Sequence, residues 1–210
     1  MQVEVFPLGP LETNSYLAIQ DGSALAVDTG GDPAPMLEYL NLHKLSLSRI
    51  LLTHLHFDHI YGVAALHQAT GAPVSAGAKD AYLLDNELGQ GGFMGLPKVE
   101  RFAFETLEPG GIELLGQPCR VMLTSGHTPG SLSYYFPQAK VVFVGDLVFY
   151  RSIGRTDFPG GSFEDLIRSA RESILSLPPE TVIYSGHGPE TGVGLERLHN
   201  PYFTEFAGQP

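Results

Sequence analysis

At 210 residues with 43% apolar content, the chain is long enough to form one domain, residues 1–210, around a filled core. A formal net charge of −11 argues against nucleic acid or an anionic membrane as its main partner. A single cysteine, Cys119, excludes an internal disulfide; with no secretory pattern after Met1 and no apolar run of membrane-spanning length, the expectation is a soluble cytoplasmic protein.

In chain order, residues 3–8 and 15–19 read as strands separated by the turn signal Gly9-Pro10. Residues 24–28 form a third strand that ends in Asp28 before Thr29-Gly30-Gly31, which makes Asp28 a candidate site residue. Apolar spacing predicts a helix over 33–44, with Pro33 in its first turn. A buried strand at 49–52 leads into Thr53-His54-Leu55-His56-Phe57-Asp58-His59, and a helix follows to about Thr70. A short strand is centred on Val74, and residues 79–84 read as helical. The glycine-rich segment 89–97 carries Phe93 and Met94 and reads as a lid or a connector. Strands are predicted at 112–115, 120–123, 132–136, 141–144 and 181–184. An amphipathic helix over 163–177 has Ser162 as its N-cap and Pro178-Pro179 as its stop. The residues after 184 read as loop and tail. The repeated order of strands, helix and strand points to two similar halves.

The 53–59 stretch places three imidazoles and a carboxylate at the C-terminal end of a strand, where open sheets hold their ligands. Neutral imidazole is the commonest metal-binding side chain, and carboxylate suits the same ions. The alternation His54-x-His56 turns both rings to one side of an extended backbone, while Asp58 and His59 come from the turn beyond it. Three further strands end the same way, each in a polar residue directly after glycine: His127, Asp146 and His187. His43, His67 and His199 fall in helix or tail contexts and read as structural.

The segments THLHFDH, SGHTPGS, VGDLVF and SGHGP together resemble the metallo-β-lactamase superfamily over nearly the whole chain. Within it, GRTDFPGGS (154–162) and ERLHNPYF (196–203) resemble the compact glyoxalase II-like branch, the hydroxyacylglutathione hydrolases. The resemblance implies an α/β (α+β) fold, a four-layer αββα sandwich, with two divalent metal ions, usually zinc. Carried over by position, His54, His56 and His127 hold the first ion; Asp58, His59 and His187 hold the second; Asp146 bridges them. Asp28 matches an acidic position that orients ligands, and Arg155 matches a basic residue that contacts glutathione.

The implied function is thioester hydrolysis of a glutathione conjugate by metal-activated water, with Asp58 also catalytic, in a monomer or homodimer. Two departures stand out: Ser131 occupies a position where many relatives have histidine, and the chain lacks the C-terminal helices that supply basic residues for glutathione in full-length relatives. The competing readings are a persulfide dioxygenase with one iron, and a lactonase. The ligand types admit zinc, iron or manganese.

Overall fold

The computed structural model describes residues 1–204; the last six residues of the expected 1–210 domain lie outside them. The chain divides into two compact units, the first Met1–Leu107 and the second beginning at Glu108.

The first unit is built on a six-stranded sheet in the order β1 (Gln2–Leu8), β2 (Thr13–Gln20), β3 (Ser23–Val27), β4 (Ser46–Leu51), β5 (Val74–Ala76) and β6 (Glu105–Thr106). The first three strands are antiparallel and joined by tight turns, whereas β3 to β6 run parallel. Parallel neighbours need a crossover, so helices enter between them. Those helices are α1 (Ala34–Leu42) between β3 and β4, and α2 (Phe57–Ile60) with α3 (Val63–Thr70) between β4 and β5. Pro33 stands just before the first helical residue of α1, one place earlier than the sequence suggested. α3 stops at Gly71, whose left-handed backbone lets its N–H close on the His67 carbonyl.

Leu17, Ala26, Met36, Ile50, Leu52, Ile60, Leu66 and Val74 are buried together and fix these elements against the sheet. The parallel pairing of Val27 with Leu51 matters most for function. It brings the C-terminal ends of β3 and β4 side by side, so Asp28 lies beside Thr53.

The helical segment expected at 79–84 is a 3-10 helix, Ala78–Asp85, followed by α4 (Glu87–Gln90), whose N-cap Asn86 accepts from the Leu88 N–H. The predicted glycine-rich segment is therefore helical at its start. Its remainder is a short hairpin pinned by a bridge between Gly91 and Lys98.

The second unit has its own six-stranded sheet. β7 (Gly110–Leu114), β8 (Gln117–Leu123), β9 (Leu132–Phe136) and β10 (Val141–Gly145) form an antiparallel meander. A two-stranded ribbon, β11 (Val148–Phe149) with β12 (Ser152–Ile153), follows β10. After α5 (Phe163–Ser169), β13 (Val182–Ser185) pairs parallel with β10, and β14 (Thr191–Gly192) pairs antiparallel with β13. Each unit thus has an antiparallel run followed by a parallel strand, the similarity of halves that the sequence suggested.

The helix expected over 163–177 starts as predicted, with Ser162 Oγ accepting from the Asp165 N–H. It becomes a π-turn at Ala170–Ile174 instead of continuing as an α-helix. The segment read as tail holds an unforeseen helix, α6 (Val193–His199).

α6 is held by a buried carboxylate. Glu196 is fully buried, and its Oε1 accepts from Arg151 Nη1 at 2.9 Å and Thr191 Oγ1 at 2.6 Å. Oε2 accepts from the Arg151 N–H at 3.0 Å and Asn200 Nδ2 at 2.8 Å. Asn200 Nδ2 also reaches the Ser152 carbonyl, and the Arg197 guanidinium bonds the Leu175 and Leu177 carbonyls. Glu196, Arg197 and Asn200 thereby tie α6 to the β11–β12 ribbon and to the end of the preceding helical segment. A buried charge with this many donors is costly to strip of its partners.

Among the described residues, no helix is long and apolar enough to cross a membrane.

Glu196→Ala is expected to lower unfolding stability by about 3 kcal/mol, measured by urea titration; an unchanged midpoint would count against the clasp. Cys119 is 2% exposed, and burial pushes its thiol up to about 12. The thiolate fraction at pH 8 is therefore on the order of 1 in 10,000. Folded protein is expected to resist iodoacetamide at pH 8 and to label once unfolded in urea.

Candidate metal centre

In the first unit the donors cluster at the ends of β3 and β4. Asp28 has a left-handed backbone (φ 56°), and its N–H donates to the Leu51 carbonyl at 2.9 Å. Its carboxylate, 2% exposed, accepts at Oδ1 from the Thr53 N–H at 2.7 Å and at Oδ2 from Thr53 Oγ1 at 2.6 Å. His59 Nδ1 lies 2.8 Å from the same Oδ2, and His54 Nδ1 lies 3.1 Å from Thr53 Oγ1.

These contacts set the tautomers. A carboxylate accepts, so His59 carries its proton on Nδ1. The Thr53 hydroxyl hydrogen is given to Asp28, so Thr53 Oγ1 accepts from His54 Nδ1–H. In a neutral imidazole with Nδ1 protonated, Nε2 keeps the lone pair that binds a metal. Asp28 thus presets two imidazoles, one directly and one through Thr53.

The rings are close. His54 and His56 lie 4.8 Å apart between centroids, and His54 and His59 lie 4.0 Å apart. His56 is the N-cap of α2, so Asp58 and His59 lie in the first turn of a helix, not on a free loop. Asp58 Oδ2 accepts from Thr13 Oγ1 at 3.2 Å and lies 3.8 Å from His59 Nε2. The His59 carbonyl accepts from the Thr29 N–H, and Gly30 N–H donates to Ser15 Oγ. Gly62 lies so tightly against the Gly31 carbonyl that an added Cβ would come within 1.9 Å of it.

The glycine-rich segment, α4 and hairpin together, lies against this stretch. A Cβ on Gly89 would stand 3.0 Å from the Leu55 carbonyl oxygen, and the Phe93 ring meets Phe57 edge-on at 5.6 Å.

In the second unit, Asp146 and His187 follow the parallel neighbours β10 and β13, and the Gly186 N–H donates to the Gly145 carbonyl at 2.9 Å. His127 follows β8 and is 4% exposed. Its Nδ1 lies 2.7 Å from the Arg155 carbonyl, which can only accept, so its proton too sits on Nδ1. Asp146 Oδ2 stands between two rings, 3.6 Å from His127 Nε2 and 3.7 Å from His187 Nε2.

Gly126, before His127, has a role the sequence did not disclose. A Cβ there would lie 2.3 Å from the Leu166 backbone, so the glycine admits α5 rather than a ligand.

These observations test the fit to a metal. The separations of 3.6, 3.7 and 3.8 Å are too long for hydrogen bonds. They lie near the roughly 3.4 Å expected between two donors at tetrahedral angles on one ion with bonds of about 2.1 Å. Imidazole Nε2 atoms with Nδ1 held elsewhere, together with carboxylate oxygens, form a donor set for divalent ions. The residues fit such ions.

Arg155 is differently engaged. Its Nε and Nη2 each donate to Asp157 at 2.7 Å, and its guanidinium lies 3.8 Å from the centre of the Phe158 ring. The hydrogen bonds from Arg155 hold the Asp157 carboxyl down to about 2.

Comparison with known proteins agrees with this chemistry. Residues 8–187 match the family model described as the metallo-beta-lactamase superfamily. The chain belongs to that superfamily. Two relatives extend the match over nearly the whole length. The "Probable metallo-hydrolase YqgX" of Bacillus subtilis is 37% identical, covering 96% of this chain and 97% of its own. The "Hydroxyacylglutathione hydrolase GloC" of Haemophilus influenzae is 33% identical, covering 96% and 98%.

Among solved structures, the BLEG-1 B3 metallo-beta-lactamase aligns with a TM-score of 0.91 at 37% identity, covering 97% of this chain and all of the other. TTHA1623, solved in a di-iron-bound form, aligns at 0.85 with 37% identity, covering 95% and 99%. The α/β fold class expected from the sequence is therefore that of the metallo-β-lactamase fold. The chain is a metal-dependent hydrolase of this superfamily.

Thr53, Thr13 and the Arg155 carbonyl were not found as site residues by sequence reasoning. Thr53 alone left a signal, as the residue directly before the histidine motif.

Asp28→Ala is expected to weaken metal affinity by about 10–100-fold, read by competition with a chromophoric chelator. Thr53→Val should cost less, because His59 keeps its partner. Equal, undiminished affinity in both variants would dissociate Asp28 from the metal.

Proposed function

We propose that the chain is a thioesterase of the glyoxalase II kind, hydrolysing S-2-hydroxyacylglutathione with two divalent ions, zinc or iron. The observation that carries this reading is the 33% identity to a hydroxyacylglutathione hydrolase over 96% of the chain. The donor chemistry of both units supports it. We also propose that the two units are halves of one domain, since the family match runs across both, from residue 8 to 187.

In this reading His54, His56 and His127 would hold one ion, Asp58, His59 and His187 would hold the other, and Asp146 would be a ligand to both. Bound ions supply Lewis acidity, which makes water acidic enough to act as a nucleophile near neutral pH and polarises a carbonyl. The remaining work belongs to the chain. Thr13 donates to Asp58 Oδ2 and so fixes the carboxylate plane. Asp58 accepts a hydrogen bond from the attacking water and orients it toward the thioester carbon. A C–O bond forms as the O–H bonds of the water break and their protons pass to solvent; the C–S bond breaks, and the sulfur leaves as thiolate. It needs no strong acid, because an unperturbed thiol has a pKa of about 8.5. Asp28 and the Arg155 carbonyl keep the imidazole tautomers constant throughout.

The TTHA1623 di-iron form is the reason iron stands beside zinc. The test is S-D-lactoylglutathione hydrolysis by protein purified with its native metals, with oxygen uptake on glutathione persulfide measured in parallel. Rapid hydrolysis, abolished by chelation and restored by metal, is the expected result. Asp58→Asn should lower kcat at least 100-fold even with metal supplied at saturation. Oxygen uptake without hydrolysis would instead assign a dioxygenase.

A further inference from the structure

We propose that Arg155, Asp157 and Phe158 form a clasp that presents the Arg155 carbonyl to His127, which makes Arg155 a positioning residue for a metal ligand. The inference rests on the reading of His127 as a ligand. It differs from a role for Arg155 in contacting glutathione.

The segment 154–162 is anchored at both ends. At its start the Gly154 N–H donates to the Leu147 carbonyl at 3.3 Å, and a Cβ on Gly154 would lie 1.9 Å from the Asp146 carbonyl oxygen. At its end the Ser162 N–H donates to the Gly126 carbonyl at 2.8 Å, one residue before His127. Between them the chain folds back on itself. The Gly161 N–H donates to the Phe158 carbonyl at 2.8 Å, and a Cβ on Gly161 would clash with the Thr156 carbonyl oxygen at 2.4 Å.

Within this frame the guanidinium of Arg155 closes a two-residue turn onto Asp157 through two parallel bonds of 2.7 Å. The Phe158 ring covers its face at 3.8 Å. The backbone of a residue whose side chain is tied this way has little rotational freedom left. Its carbonyl is the group that accepts from His127 Nδ1–H at 2.7 Å.

As an ion pair the clasp adds little stability. Its two side chains are 56% and 66% exposed, and such pairs contribute at most about 1 kcal/mol. Its value lies in geometry. A planar guanidinium can fork onto a carboxylate and stack on a ring at once, and lysine can do neither. The clasp therefore joins five residues of the GRTDFPGGS segment in one device: Gly154 and Gly161 where backbones touch, and Arg155, Asp157 and Phe158 to aim one carbonyl.

The experiment compares wild type with Arg155→Gln, Arg155→Lys, Asp157→Asn and His127→Ala. Zinc affinity of the metal-free proteins is measured by chelator competition. The His127 tautomer is followed by long-range proton–nitrogen NMR, and KM and kcat are taken with metal saturating. We expect Arg155→Gln, Arg155→Lys and Asp157→Asn to behave alike. Each should weaken by up to about fivefold the zinc-binding step that His127→Ala removes, and each should reduce the Nδ1–H signature of His127 while KM stays unchanged.

A raised KM in Arg155→Gln, with rescue by lysine and normal behaviour of Asp157→Asn, would overturn the proposal and make Arg155 a substrate contact. Unaltered zinc affinity in His127→Ala would remove the ligand assignment itself. That result is distinguishable, because it does not depend on the clasp variants.

Discussion

The carboxylate of Asp28 is the constraint on which the donor cluster of the first unit depends. A buried carboxylate is tolerated only when donors surround it, and here three donors do so: the Thr53 amide, the Thr53 hydroxyl and the His59 ring. The arrangement exists because β3 and β4 are parallel neighbours that end together. It also explains why the residue at the strand end takes a left-handed backbone, a conformation that aspartate tolerates better than most side chains. The same principle recurs in the second unit with a different partner. There a peptide carbonyl does for His127 what the carboxylate does for His59. One histidine is oriented by a charge and the other by a dipole, so the electrostatic surroundings of the two rings differ although their tautomers agree.

Much of the donor set was legible because its chemistry is local. His54, His56, Asp58 and His59 fall within six residues after an apolar strand, and the strand-end pattern repeats at His127, Asp146 and His187. The supporting groups were less visible, because their partners are remote in sequence. Thr13 reaches Asp58 across 45 positions, and Arg155 offers a backbone atom, which no side-chain pattern can reveal. For the same reason α6 was read as tail. Its exposed Leu195 and Leu198 blur the apolar stripe, and beyond the buried Val193 it is held by the polar contacts of Glu196. The short strands β6, β11, β12 and β14 have two residues each, too few for any alternation to register.

The glycine before His127 is required for a reason that its place beside a polar residue does not show. Gly126 is small because α5 runs over it. The requirement is one of backbone packing, and His127 benefits only indirectly, since the same contact seats the Ser162 amide on the Gly126 carbonyl. Structure and chemistry are joined here through a helix start: the residue that caps α5 also closes the segment carrying Arg155.

The hairpin beyond α4 has a consequence for oxidative chemistry. Met94 at its tip is 94% exposed, whereas Met36 and Met122 are buried. Peroxide therefore meets the Met94 thioether while those two core methionines are shielded by packing. Conversion to the sulfoxide would place a polar, bulkier group beside Phe93, whose ring rests on Phe57 in the middle of the histidine motif. A change at an exposed side chain is thus one aromatic contact, Phe93 on Phe57, away from the histidine motif.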